Sequence, residues 1–305
     1  MDTGFKHMSN KVRIPSPWSQ LVLFAGLWLA MTVVFSLLYF VIDQISHGSH
    51  LNAGTAVPES MSADYSKFIQ VLFSITVFGL TGLLYGRFTF GDRAGYQLGL
   101  RPATRSSFYF VAILLLLCAL PLEEWLGELN KQIPLWHWMT RAQQENDQQV
   151  ENFLKVRHPF DPVVNVLVMA AIPAFCEELC FRGALQRIMI QICKKPLIGI
   201  LVSAILFSSL HLQFEGFLPR MFLGVLLGAA YWYSGSLWVP ILAHFFFNGA
   251  QVVVAMVAKP DVPGPHSVKN PSMPLSWVLL SLVMVVGLLY AIRRESKTTY
   301  ESVYQ

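Results

Sequence analysis

Eight apolar segments dominate the chain and constrain its fold more than any other feature. The hydrocarbon core of a bilayer is about 30 Å thick and needs roughly 20 apolar residues in a helix, so the third, fifth and sixth segments are short. Pro, Gly, Ser and charged residues lie in the connections, as is typical of turns. We predict an all-α, polytopic membrane helix bundle with about eight transmembrane helices, at approximately residues 18–42, 68–87, 107–121, 163–192, 196–212, 217–234, 236–258 and 275–292.

The composition agrees with a chain that spends much of its length in lipid. Apolar residues make up 54% and charged residues 13%, and the mean hydropathy is +0.49. A soluble domain carries roughly 25% charged residues, so these values argue against a disordered chain, a coiled coil and an ordinary cytosolic enzyme. The net charge is only +4 and the basic residues form no extended patch, so we expect no nucleic-acid partner.

The distribution of Lys and Arg predicts the orientation of the bundle. The first apolar segment, which begins near Trp18, is too long for the core of a signal peptide, so we interpret it as a retained helix. With eight spans, 13 basic residues lie on the side shared by both termini and 8 on the opposite side. The positive-inside rule then places both termini in the cytoplasm, and we expect a bacterial inner membrane.

The connection at residues 122–162 differs from the other loops. It combines Trp125, Trp136 and Trp138 with several acidic residues, and Trp is favoured at the membrane interface. We predict one or two amphipathic helices lying on the membrane surface; the alternative is a lid over a site below. The whole chain, 1–305, is interpreted as one integral membrane domain, with residues 122–162 as an interfacial connection and 163–255 as the catalytic core.

The fourth span contains ionisable residues that lipid disfavours, and such residues mark candidate sites. Glu178 and Arg182 have the i,i+4 spacing and the order of a favourable helical ion pair. Glu177 lies about 100° further round the helix and keeps no obligatory partner. A carboxylate in such surroundings is suited to act as a general base. Pro173, four residues before Glu177, lacks an N–H group and is expected to bend the helix.

Two further spans carry polar residues that can meet the glutamates only in the interior of the bundle. The fifth span ends at His211, and the seventh contains His244 and Asn248, which share one helix face at i,i+4. Glu177 and His211 are suited to hold and deprotonate a water molecule, and His244 and Asn248 are donors suited to an oxyanion. This set indicates peptide-bond hydrolysis without a covalent intermediate. Zinc binding by Glu and two His is the alternative, although the His-Glu-x-x-His motif is absent.

The order of these motifs resembles one family of membrane proteases. Glu177-Glu178-x-x-x-Arg182, Phe207-x-x-x-His211 and His244-x-x-x-Asn248, on successive separate spans, are similar to the CAAX-protease and bacteriocin-processing family (CPBP, or Abi), whose eukaryotic relatives are the Rce1-type prenyl-protein endopeptidases. The similarity is densest over residues 163–255.

The resemblance implies an eight-helix fold with its active site inside the membrane. It implies that Glu177 activates water with the help of His211, that His244 and Asn248 form the oxyanion hole, and that Glu178 and Arg182 are supporting residues. It implies a glutamate-type protease with no obligatory metal. The long connection at 122–162 is not part of the shared motifs, so the resemblance does not extend to CAAX specificity.

We therefore expect an intramembrane endopeptidase that cleaves a membrane-associated or lipidated protein or peptide. The expected partners are this substrate and the lipid bilayer, no cofactor is expected, and the oligomeric state is not indicated. One alternative is a zinc-dependent membrane protease that uses the same Glu and His residues. Another is a non-catalytic membrane scaffold or immunity protein in which these residues only join helices through hydrogen bonds.

Overall fold

A computed structural model describes residues 12–47, 59–154, 156, 158–257 and 273–304. Helices account for about 85% of this part, which contains no strand, and the predicted all-α polytopic bundle is confirmed. Six basic residues from the charge count lie outside the described residues: Lys6, Lys11, Lys155, Arg157, Lys259 and Lys269. In chain order the helices are α1 (Pro17–His47), α2 (59–90), α3 (Ser107–Asn130), α4 (His137–Leu154), α5 (Asp161–Cys193), α6 (Pro196–Leu210), α7 (Phe217–Ser234), α8 (Trp238–Val257), α9 (Leu275–Glu295) and α10 (Tyr300–Tyr304).

Each of the eight predicted apolar segments forms a helix in the described part of the chain. Six of them, on α1, α2, α3, α5, α8 and α9, are long and apolar enough to cross a membrane by length and composition. The helix α6 has 15 residues and is therefore about 22 Å long, which is shorter than the lipid core. The helix α7 is not among the six, and its second half, from Gly224 onward, is almost entirely buried.

The helix ends follow from local sequence. Pro196 occupies the first turn of α6, where its missing N–H group costs nothing. Lys194 adopts a left-handed conformation just after α5, with φ of 54°, and Gly235 does so after α7, with φ of 66°. Such residues end helices because they turn the chain out of the helical path. These stops produce the tight turns that place α6 beside α5 and α8 beside α7.

The third span is longer than the sequence predicts. Helix α3 continues through Pro121 to Asn130, so the first nine residues of the segment 122–162 are helical continuation rather than connection. The acidic residues Glu123 and Glu124 led the sequence analysis to end the third span before them. In the structure these residues are part of α3, and the positive charge of Arg220 on α7 acts on Glu123. The segment in which one or two amphipathic surface helices are predicted contains the helix α4, on which Trp138 is 53% exposed.

Helix α5 contains two wider, π-helical segments, Leu167–Ala171 and Leu179–Gln186. The first ends just before Pro173, the residue at which a bend was expected. Since proline lacks an N–H group, the regular hydrogen-bond ladder must be rearranged at this point. The second segment begins directly after Glu178. Such insertions are frequent at functional sites because they change the direction of the following side chains.

Two large apolar clusters and a small third one form the interior of the described bundle. One large cluster combines side chains of α1, α2 and α5, and the other large cluster combines side chains of α3, α7, α8 and α9. Helix α7 packs closely on α6, and both α8 and α9 pack on α3. The outward faces of α1 and α9 carry exposed Leu, Val and Phe side chains that suit a lipid environment. The chain is an integral membrane protein, with polar side chains of α5, α6 and α8 placed between its helices.

Candidate active site

The two adjacent glutamates lie at the middle of α5. Glu177 is 7% exposed and Glu178 is fully buried. Helix α5 positions them next to α6 and α8, so two carboxylates face the interior of the membrane domain. Such groups are costly in apolar surroundings unless they are paired. The partners of each glutamate therefore indicate what each can do.

Glu178 joins α5 and α8 through one carboxylate oxygen. Its Oε1 accepts a hydrogen bond from Arg182 Nη1 at 2.6 Å and another from His244 Nδ1 at 2.9 Å. Arg182 also donates to the carbonyl oxygen of Gly224 on α7, at 3.3 Å, and its guanidinium lies 4.6 Å from the ring centre of Phe207 on α6. The predicted Glu178–Arg182 ion pair is thus present, and it holds α5, α6, α7 and α8 together.

Glu177 faces both histidines without a direct hydrogen bond. His211 Nε2 lies 3.7 Å from Oε1, and His244 Nε2 lies 4.0 Å from Oε2. These distances are too long for a direct hydrogen bond. They are suited to a bridging water that donates to the carboxylate and to an imidazole. Three predicted residues from three helices therefore converge on one small volume.

The hydrogen bonds on the far side of each ring determine the histidine tautomers. His211 Nδ1 lies 2.8 Å from the carbonyl oxygen of Phe207, which can only accept a hydrogen bond. His244 Nδ1 donates to the carboxylate of Glu178. Both Nδ1 atoms therefore carry hydrogen, and in a neutral ring Nε2 is an acceptor. His244 can therefore donate a hydrogen bond from Nε2 to an oxyanion only when its ring is protonated on both nitrogens. The sequence did not reveal this requirement.

Asn248 lies one helical turn after His244 on the same face of α8. Its side chain is half-buried and makes no hydrogen bond within the residues that the structure describes. A carboxamide has two N–H donors that need no change of charge. Asn248 is therefore the candidate donor that is available in every protonation state.

The sequence interpretation missed Arg220, which it counted as a loop charge. Arg220 lies in the first turn of α7 and interacts electrostatically with Glu177 and Glu123. It donates hydrogen bonds to the backbone oxygen and side-chain oxygen of Gln213. The sequence did contain a signal for Arg220, because this residue is ionisable and lies inside the predicted span 217–234. Arg182 was selected by the same criterion.

The loop between His211 and Arg220 is held by side chains of three neighbouring helices. Asn130 of α3 donates to the carbonyl oxygen of Phe214 at 2.7 Å and accepts from the N–H group of Leu218 at 2.9 Å. Ser208 donates to the Phe217 carbonyl at 2.7 Å, and Gln143 of α4 accepts from the N–H group of Glu215 at 3.4 Å. Helix α4 therefore packs against the loop that connects His211 to the helix carrying Arg220.

The metal alternative has one supporting feature. Both Nε2 lone pairs point toward Glu177 while both Nδ1–H groups donate to oxygen, an arrangement that is common around metal ligands. Within the described ranges, however, no three His, Cys, Asp or Glu side chains are arranged to hold one ion.

Comparison with known proteins supports the resemblance. Residues 159–250 match the model of a family described as type II CAAX prenyl endopeptidase Rce1-like. This segment contains Glu177, Glu178, Arg182, His211, His244 and Asn248, so the resemblance to Rce1-type endopeptidases is confirmed. The match covers under a third of the chain and supports a CAAX-type membrane protease.

The uncharacterized protein YpbD of Bacillus subtilis is 29% identical to the chain over 90 residues, which are 28% of this chain and 43% of YpbD. The chain therefore spans less than half the length of this curated relative. No solved structure matches the chain.

Proposed function

We propose that this protein is an intramembrane endopeptidase that cleaves a membrane-associated or lipidated protein or peptide with a water molecule activated by Glu177 and His211. The observation that carries the proposal is the convergence of Glu177 with the Nε2 atoms of His211 and His244, at 3.7 and 4.0 Å. The Rce1-like match over the same helices supports a protease.

The proton movements follow from the tautomers. Water placed between Glu177 and His211 transfers one proton to the Glu177 carboxylate, and its oxygen attacks the substrate carbonyl carbon. The Nε2 atom of neutral His211 accepts the second hydrogen bond of this water and orients its lone pair. Phe207 holds the His211 ring in this tautomer through its backbone oxygen.

The negative charge of the tetrahedral intermediate develops on the carbonyl oxygen. Asn248 donates a carboxamide N–H to this oxygen, and His244 donates from Nε2 in its cationic form. Glu178 accepts the other ring hydrogen of His244 and is itself paired with Arg182. Protonated Glu177 then returns its proton to the leaving amine, which completes the hydrolysis.

Two alternatives use the same residues. A zinc-dependent protease would use Glu177, His211 and His244 as metal ligands, and a scaffold or immunity protein would use them only to join helices. We place the protein in a bacterial inner membrane with both termini in the cytoplasm, and its substrate within or beside the same bilayer.

The test compares wild-type protein with Glu177→Gln, both reconstituted in lipid nanodiscs, on a pool of apolar peptides. Wild-type protein is expected to cleave members of the pool and Glu177→Gln to cleave none, with equal thermal stability. If wild-type protein still cleaves peptides in the presence of a strong chelator, the result supports the water mechanism. If the chelator abolishes cleavage and added zinc restores it, the result supports the metalloprotease. Equal cleavage by both proteins contradicts the proposal. Absence of cleavage by either protein supports the scaffold alternative.

A further inference from the structure

Arg220 is a positively charged residue beside the site for which the proposed chemistry has no use. It is half-buried in the first turn of α7, nine residues after His211. Its hydrogen bonds go to Gln213, a neutral residue, through the backbone oxygen and the side-chain oxygen. No carboxylate of the described ranges lies within ion-pair distance of its guanidinium. Its charge is therefore held in place but not directly neutralised.

The surroundings of Arg220 hold the guanidinium in one position. Gly216 lies beneath it, because a Cβ atom at Gly216 would be 3.0 Å from Arg220 Nη2. Gln213 fixes the plane of the group from the other end of the loop. Asn130 in turn fixes the backbone at Phe214 and Leu218. A charged side chain that is oriented by neutral groups is a preorganised binding element rather than a mobile surface charge.

Two carboxylates act on Arg220 at longer range, Glu177 on α5 and Glu123 on α3. Arg220 thus interacts with both the proposed general base and a second acid on α3. Guanidinium groups bind carboxylates through paired N–H donors, and such charge-assisted hydrogen bonds are stronger than neutral ones. Gln213 occupies at most two of the five N–H donors, so the remainder are available to a ligand.

Resting on the proposed function, we propose that Arg220 binds a carboxylate of the substrate beside the scissile bond and that Glu123 opposes this binding. Two sources supply this chemistry: the free C-terminal carboxylate of a peptide, or an acidic side chain. Glu123 sets the strength of the interaction, because its negative charge competes with the incoming carboxylate for Arg220. Arg220 is thus a specificity-determining residue.

The probe is a pool of short apolar peptides, each present in equal amounts with a free C-terminal acid and with a C-terminal amide. Full-length Glu177→Gln protein in nanodiscs captures the pool without cleaving it, and mass spectrometry gives the bound acid-to-amide ratio. We expect this ratio to be about 10- to 100-fold above unity. Removing the charge in Arg220→Gln should bring it near unity, Arg220→Lys should restore part of it, and Glu123→Gln should increase it.

The bound acid-to-amide ratio does not depend on how much of a variant is folded, since both peptide forms compete for the same protein. The exposed Arg141 on α4 supplies the control, and Arg141→Gln should leave the ratio unchanged. A second pool of amides with and without one Asp distinguishes the source: preference for Asp identifies an acidic side chain, and preference only for the acid terminus identifies the C-terminus. Absence of any preference for carboxylates, or a preference that survives in Arg220→Gln, overturns the inference.

This outcome is separate from that of the proposed function. Cleavage by wild-type protein without carboxylate preference refutes the role of Arg220 and leaves the protease intact. Carboxylate preference without any cleavage supports the binding site and refutes the protease.

Discussion

At the scale of single residues, the pair Glu178–Arg182 connects stability with chemistry. Arg182 is 1% exposed, and it neutralises the carboxylate that also accepts the hydrogen bond from His244. Removal of one member of a buried pair leaves the other charge uncompensated. Joint replacement by apolar residues avoids that penalty. The stability of the helix packing and the orientation of His244 can therefore be separated by mutation.

We expect Arg182→Ala to lower the free energy of unfolding by about 3–5 kcal/mol, because Glu178 stays buried and unpaired. Thermal unfolding in detergent measures this change. The exposed pair of Arg105 and Glu295, with side chains 58% and 40% exposed, supplies the control, and Arg105→Ala should change stability by less than about 1 kcal/mol. The double variant Glu178→Leu, Arg182→Leu should regain most of the stability but none of the activity. Equal effects of Arg182→Ala and Arg105→Ala would contradict this role.

The site shows which residue-level features are visible in a sequence. The i,i+4 pair of Glu178 and Arg182 follows from helical geometry alone, and both residues lie where it places them. The contact between Glu178 and His244 joins residues 66 positions apart and depends on how α5 and α8 pack. For this reason the sequence could not show which tautomer His244 adopts. It also could not show that His244 must be a cation to donate a hydrogen bond from Nε2.

At the scale of elements, the loop from His211 to Leu218 depends on α3. Asn130 is buried and makes two hydrogen bonds to the loop backbone. We expect Asn130→Ala to increase hydrogen exchange at residues 212–218 and to reduce cleavage about tenfold, because His211 and Arg220 lose their fixed positions. The exposed Gln132→Ala is the control. Unchanged exchange in the loop would argue against this clamp.

Close helix contacts provide a second prediction at this scale. A Cβ atom at Gly199 of α6 would lie 2.5 Å from the backbone nitrogen of Ile190 on α5, and at Gly287 of α9 it would meet nothing within 4 Å. We expect Gly199→Ala to destabilise the bundle by about 1–3 kcal/mol, whereas Gly287→Ala should be neutral or slightly stabilising. Thermal unfolding of both variants is the measurement. Equal stability of the two would show that α5 and α6 are packed less closely.

The elements also mark the limits of hydropathy. The apolar segments predicted all six helices of the described ranges that are long and apolar enough to cross a membrane, because burial in lipid requires continuous apolar runs. The end of α3 was misplaced by nine residues, since Glu123 and Glu124 resemble a helix exit, whereas the charge of Arg220 on α7 acts on Glu123 in the folded chain. Long-range charge compensation of this kind is invisible to a local window.

At the scale of the whole molecule, the number of spans is even in both counts, so we expect both termini on the same side of the membrane. Eight predicted spans and six helices that meet the length and composition criteria give the same result. We expect a fluorescent protein fused to either terminus to fluoresce in a bacterial host, and alkaline phosphatase at the same places to be inactive. An insertion of either reporter between α3 and α4, at residues 131–136, should give the reverse pattern. Termini on opposite sides would show that one helix does not cross.

Glu177 is the base of the proposed protease, and a survey of protein termini in native membranes tests this role most directly. Membranes containing wild-type protein are compared with membranes containing Glu177→Gln at matched expression. New termini that occur only with wild-type protein are predicted, and they would identify both the substrate and the side of cleavage. Identical sets of termini at equal protein levels, under the conditions in which the gene is normally expressed, would contradict the assignment of the site to proteolysis.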